Sequence, residues 1–328
     1  MLSGLYGRGF SGDVYKTVIE NDGANARFKK YLSGWAHQEI LTNTQKEKGP
    51  VVLVAFGLGW DPHLTPQTPS YVRDFFESLN NAGFQSKILI TDPAAPIWDN
   101  MRVLEKQVRP YFESGRDVIL VGLCKGAPEI LAAADHILSP YLDKDRKQTR
   151  LPAHFGRLIG YVNLSGMIDG TYLADDMSRI PGFIHLVDWA DDHKMLRGKK
   201  EYARGLLSIS HKSMNTFKAE FLDKLPSDAI YVNIVGVLTG SGKPPRKSVM
   251  TPFFKFNLAS GANDGFIEYP EAELPHNIAP RMYTVAVHGS HLLTDGFFED
   301  LSLDHKGVRD AFFNGLYGAI INASENGF

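Results

Sequence analysis

The single cysteine of this 328-residue chain stands in Gly122-Leu123-Cys124-Lys125-Gly126. As a thiolate, a cysteine attacks carbonyl carbon and holds an acyl group covalently. The flanking glycines suit a nucleophile placed on a sharp strand-to-helix turn, where the backbone is strained and a side chain on either flank would collide with strand or helix. At that place Cys124 meets a helix N-terminus, whose dipole favours the thiolate, and the N–H of Lys125 supplies half of an oxyanion hole. The competing reading is a plain core thiol, since free cysteine is among the most buried residue types. The position between the apolar run Val118–Leu123 and a helix-like run to Leu138 favours the turn.

A nucleophile of this kind needs a base, and the base needs an orienting partner. Two histidines follow the apolar run MYTVAV: His288 directly, and His291 after Gly289-Ser290. His291 is favoured, because a loop residue can reach back over the sheet, whereas His288 suits the end of a strand. Asp264, within Asn263-Asp264-Gly265, is the candidate acid, with Glu268 as the nearby alternative. Asn-Asp-Gly is also an ordinary turn. A thiolate–imidazolium pair depends on the acid less than a serine does.

Residues 1–49 read as a mixed, polar N-terminal extension with a helix near Ala24–Ile40, and residues 50–328 as one α/β domain. Within it VVLVAF, SKILITDP, DVILVGLC, LIGYVNLSG, AIYVNIVGVL and MYTVAVHG read as strands. YVRDFFESLNNAGF and MRVLEKQVRPYFESG read as helices between them. Strands alternating with helices, apolar on both faces, predict a parallel sheet covered on both sides. From about Met167 to Ser227 the alternation breaks into a helix-like, charged segment, expected to form a helical lid over one end of the sheet.

These motifs resemble the α/β-hydrolases of the lipase and esterase kind, particularly bacterial members with G-x-S-K-G-x-P-[DE] at the elbow, here Gly122 to Glu129. Ala55-Phe56-Gly57-Leu58-Gly59 is similar to the family's H-G-x-x loop, and Leu164 to Asp175 to its S-P-x-x-G-[ST]-x-L-A-D stretch. Gly261 to Ile267 resembles the N-D-G-[LIV]-V segment carrying the acid, and His288 to Leu293 the D-H-L segment carrying the base. The resemblance spans roughly residues 50 to 300, in the family's order of nucleophile, acid and histidine. It implies an α/β-hydrolase fold with a mostly parallel sheet and a lid, and a Cys124–His291–Asp264 triad. The oxyanion donors would be the N–H groups of Leu58 and Lys125, with no metal or organic cofactor. Two departures stand out: cysteine replaces the serine, and Phe56 replaces the histidine before the oxyanion glycine. Cysteine at this position occurs in dienelactone hydrolases and polyhydroxyalkanoate synthases, so the expected chemistry is cleavage of an acyl ester or thioester. Acyl transfer and a non-catalytic binding module are the alternatives.

Composition agrees with a globular chain: 43% hydrophobic, 22% charged, net charge -2. Such a balance gives no field for recruiting nucleic acid, and the expected partner is a small-molecule or lipid acyl substrate. The lid offers a surface for peripheral membrane contact. One cysteine forms no internal disulfide, and no apolar run approaches the roughly 20 residues of a membrane span. The start, MLSGLYGRGF, lacks a basic region followed by an apolar one, as a cytoplasmic chain or an exported chain without its signal would. Oligomeric state is not encoded in any motif. Gly7-Arg8-Gly9-Phe10-Ser11-Gly12 follows no strand, so it is not read as a dinucleotide loop. Gly240-Ser241-Gly242-Lys243 has Pro244 where a phosphate loop needs Ser or Thr. His288, His291 and Asp295 lack the supporting cluster of a metal site.

Overall fold

The computed structural model describes residues 22–35, 49–57, 79–80, 83–179, 200–221, 225–237, 264, 267, 269–274, 281–288 and 306–326. In chain order they form α1 (Gly23–Trp35), β1 (Val51–Ala55), β2 (Gln85–Leu89), α2 (Ile97–Glu113), β3 (Val118–Leu123), α3 (Gly126–Leu138) and β4 (Leu158–Leu164). After these come α4 (Tyr172–Ser178), α5 (Lys200–Leu207), α6 (His211–Phe221), β5 (Ile230–Val237), β6 (Met282–His288) and α7 (Lys306–Asn326). The strands make one six-stranded sheet in the order β2-β1-β3-β4-β5-β6, every neighbouring pair parallel.

The central strands are largely apolar because both of their faces are covered. Every residue of β1, β3 and β4 is buried. Helices lie on the two opposite faces. Tyr161 of β4 donates its hydroxyl hydrogen to the carbonyl of Ala127 in α3, at 2.9 Å. The adjacent Gly160 points the other way, toward α7, where an added methyl carbon would lie 2.4 Å from Ile320 Cγ2. The first part of the expected extension, α1, packs against β6, with Phe28 stacked on Tyr283 at 4.7 Å between ring centroids. Asn25 Oδ1 accepts the β6 backbone N–H of Thr284 at 2.8 Å, supplying a partner to an outer strand.

Two expectations are adjusted. The second strand is not apolar on both faces: Gln85, Ser86 and Lys87 alternate in exposure, β2 being an edge strand among the described residues. The helix expected over residues 101–115 starts earlier, at Ile97, and runs through Pro110 to Glu113. It ends at Gly115, whose φ of 77° is the left-handed conformation that closes a helix. The helix expected over residues 71–84 lies almost wholly outside the described residues.

Between β4 and β5 the described residues include three helices, α4, α5 and α6. Their anchors lie near the start of α2, which follows the carboxyl end of β2. The N–H of Ile97 donates to Ser208 Oγ at 3.2 Å, and Trp98 meets Phe217 edge to face at 6.1 Å. No described helix is long and apolar enough to cross a membrane.

Candidate active site

β3 ends at Leu123 and α3 begins at Gly126, so Cys124 and Lys125 make the whole turn between them. Cys124 has φ 57°, a left-handed conformation that costs a non-glycine residue of order 1–2 kcal/mol. Its backbone is held at both ends. The Cys124 N–H donates to the Leu164 carbonyl at 3.2 Å, and the Cys124 carbonyl accepts from Ala127 N and Met167 N, each at 3.2 Å. The turn after β4 is therefore bonded directly to the turn after β3. Ser165, in that second turn, also has a positive φ of 44°, and its hydroxyl accepts the Gly236 N–H at 3.2 Å.

Three glycines make room for the thiol. A methyl carbon on Gly122 would lie 2.2 Å from Ala127 Cα, and one on Gly126 would lie 2.6 Å from the Ala55 carbonyl oxygen. Gly57, just beyond β1, comes closest to the chemistry: a methyl carbon there would lie 2.8 Å from Cys124 Sγ and 2.7 Å from Lys125 N. The backbone of residue 57 thus lines the turn on the side where the sequence places the second oxyanion donor. That donor, Leu58, lies outside the described residues. Cys124 is 4% exposed, and its Sγ is 3.9 Å from Met167 Sδ.

Lys125 is the N-cap of α3, and its side chain is wholly buried, as is that of Glu129 one turn later. The ammonium pairs with Glu129 Oε1, which also accepts from Asn100 Nδ2 at 3.0 Å. Burial pushes the Glu129 carboxyl up to about 7, and the Lys125 charge and the hydrogen bonds from Lys125 and Asn100 only partly oppose it.

Asp264 is fully buried and closes a tight turn. Its Oδ1 accepts the Ile267 N–H at 2.9 Å, and its own N–H donates to the Ile267 carbonyl at 3.2 Å. The segment after it is fastened to the sheet by a row of polar side chains. Asn163 and Asn233 are register partners on β4 and β5, and Asn233 pairs with Thr284 on β6. Asn163 Nδ2 donates to Asn233 Oδ1 at 3.0 Å and to the Ala272 carbonyl at 2.6 Å. Asn233 Nδ2 donates to Thr284 Oγ1 at 3.2 Å, and the Thr284 hydroxyl donates to Glu273.

The same segment carries Glu271, which joins the inserted helices. His211, at the start of α6, pairs through Nδ1 with Asp175 Oδ2 and through Nε2 with Glu271 Oε1, both at 2.8 Å. Burial disfavours the imidazolium, but the two carboxylates outweigh it and raise the His211 pKa. Lys218 of α6 pairs with Asp169 beside this cluster.

Cys124, Lys125, Gly122 and Gly126 therefore meet at one turn, with Asp264 buried in the connection between β5 and β6. His288 is the last residue of β6, at the carboxyl end of the parallel sheet, the end from which Cys124 also follows β3. The side chain of His288, together with His291, Glu268 and Asp295, falls outside what is described. Sequence reading passed over Asn100, Asn233, Thr284 and His211. The Tyr-Val-Asn repeated in β4 and β5, in register as Tyr161–Tyr231, Val162–Val232 and Asn163–Asn233, was a signal for the polar row.

No protein-family profile matches this chain, and no curated protein sequence matches it. Solved structures do. The mature form of Bacillus licheniformis lipase BlEst2 superposes with a TM-score of 0.53 at 19% identity, covering 78% of this chain and 89% of that one. A metagenomic carboxyl esterase superposes with a TM-score of 0.54 at 17% identity, covering 83% and 76%. At such identities the likeness concerns the fold. The parallel sheet with helices on both faces, matched to these lipase and esterase structures, establishes that this chain has the α/β-hydrolase fold.

Proposed function

We propose that the chain is a carboxylic ester or thioester hydrolase with Cys124 as nucleophile, His291 as base and Asp264 as its orienting acid. The observation that carries the reading is the Cys124 turn: φ 57°, between a parallel strand and a helix, with Gly57, Gly122 and Gly126 leaving no room for side chains. A core thiol needs neither the strain nor the three close approaches. The fold match to a lipase and an esterase supports the same substrate class.

In this reading Cys124 Sγ bonds to the substrate's carbonyl carbon as His291 takes the thiol proton. The carbonyl oxygen becomes an oxyanion held by the N–H groups of Lys125 and Leu58. The C–O or C–S bond to the leaving group then breaks, and His291 returns the proton to it. Water, deprotonated by His291, attacks the acyl-thioester, the C–S bond to Cys124 breaks as His291 returns the proton to Sγ, and the carboxylic acid leaves. The replacement of serine by cysteine favours a second outcome from the same intermediate, in which an alcohol replaces the water and an ester is formed. The helices between β4 and β5 serve as the lid and contact a lipid substrate.

A panel of nitrophenyl esters and acyl thioesters of graded chain length, run with and without an alcohol acceptor, tests the reading. Acid release that follows chain length supports hydrolysis, and ester formation with the acceptor supports transfer. No turnover on any member, from a protein whose thiol alkylates normally, supports a binding module instead.

A further inference from the structure

Lys125 and Glu129 stand where an ion pair is hard to account for by stability. Both side chains are 0% exposed, and replacing such buried pairs with apolar residues of similar volume is often neutral or stabilising. Lys125 is moreover a cation at the N-terminus of α3, the end where the helix dipole opposes it. The pair is nonetheless built into a network. Asn100 Nδ2 donates both to Glu129 Oε1, at 3.0 Å, and to the Asp92 carbonyl, at 2.8 Å. Asp92 lies in the connection between β2 and α2, so one network ties that connection, the start of α2 and the first turns of α3. Glu129 Oε2 is buried and has no hydrogen-bond partner among the described residues.

The Lys125 side chain joins this network to the peptide that follows Cys124. Lys125 N faces Gly57 on one side, where a methyl carbon would come within 2.7 Å of it. The Lys125 side chain reaches along α3 to Glu129 on the other. We propose that Lys125, Glu129 and Asn100 form a buried tether that positions the Lys125 N–H as an oxyanion donor. The proposal rests on the hydrolase reading above. Glu129 and Asn100 are positioning residues in it: they touch no substrate, and they act by fixing the peptide that follows Cys124. Misplacing a reacting group or donor by about 1 Å slows chemistry by on the order of a hundredfold without weakening substrate binding.

The test separates oxyanion stabilisation from thiol reactivity. Alkylation of a thiol by iodoacetamide displaces iodide at saturated carbon and forms no oxyanion, and Cys124 is the only thiol to report. Three proteins are compared with wild type: Glu129→Gln, Asn100→Ala and the double variant Lys125→Met/Glu129→Leu, in which no buried charge is orphaned. Each is assayed for alkylation rate, for kcat and KM on the best ester, and for thermal stability. The tether predicts alkylation within about twofold of wild type, kcat lower by about tenfold to a hundredfold, and KM unchanged. It predicts this slow kcat even in a double variant as stable as wild type. A stable double variant with wild-type kcat overturns the tether and leaves the hydrolase reading intact. Alkylation and kcat falling together also overturn it, because the pair then acts on the thiol. A wild-type protein that alkylates yet turns over no ester overturns the hydrolase reading and the tether with it.

Discussion

Gly57 abuts Cys124 so closely that a methyl carbon added to it would lie 2.8 Å from Sγ. The end of β1 and the turn after β3 are thereby locked together, with room for a backbone but not for a side chain. Gly57→Ala should cost about 1–3 kcal/mol through overpacking. It should also displace the thiol, so that alkylation of Cys124 slows together with turnover. Urea unfolding and iodoacetamide kinetics on the same preparation check both effects.

Gly122→Ala should be worse, because the clash is with backbone: the new carbon would sit 2.2 Å from Ala127 Cα. A loss of about 3 kcal/mol or more, or failure to accumulate as folded protein, is expected. Gly160→Ala offers a comparison away from the turn, since Ile320 is a side chain that can yield. Its loss should be smaller, and turnover per folded molecule should be unchanged.

Fold and turn were legible for a common reason. A strand buried on both faces must be a continuous apolar run, and a tight strand-to-helix turn must have glycine where backbones touch. Both demands fall on residues adjacent in sequence, as in Val118 to Gly126. The tether and the polar row were not legible, because their partners are far apart: Asn100 meets Glu129, and Asn163 meets Asn233 and Ala272. Nothing in the neighbourhood of Asn100 announces that a carboxylate from another helix will be buried against it. The base is a different case, since the preference for His291 over His288 rests on its place in the loop after β6 and on the Leu292-Leu293 that follows it.

Glu129 gives the tether a pH signature. Its pKa is raised from 4.5 to about 7 in the folded protein. The unfolded chain therefore loses this proton before the folded chain does, and the contribution to stability is present below about 4.5 and lost as pH rises through about 7. Lys125 on its own helix and Asn100 on α2 are the described groups that face it. Relative to Glu129→Gln, the wild-type melting temperature should fall between pH 5 and 8. Turnover should move the opposite way, rising through about 7 as the carboxylate forms and grips Lys125. Melting curves and kcat–pH profiles of the two proteins check this. Stability and kcat moving in the same direction would count against the tether.

His211 should show alkaline sensitivity. Its raised pKa means that its pairing with Glu271 and Asp175 stabilises the protein fully below the unfolded histidine value and is lost as pH rises through the folded one. His211→Ala should cost roughly 2 kcal/mol at pH 6, and less at pH 9. Thermal melts of both proteins across that range are the check. The loss should concentrate in the helices between β4 and β5, which hydrogen exchange can resolve.

If His291 is the base, His291→Ala should lower turnover by on the order of a hundredfold or more and slow Cys124 alkylation at neutral pH. His288→Ala should cost stability and little turnover, as befits the last residue of β6. Reversal of the two results reassigns the base to His288.

The central claim is that Cys124 carries the acyl group, and intact mass spectrometry under single-turnover conditions tests it most directly. Mixed with the best nitrophenyl ester and quenched in acid, the wild-type chain should gain the mass of one acyl group, lost on longer incubation and absent in Cys124→Ala. Turnover that persists in Cys124→Ala, or acylation at any other residue, would contradict it.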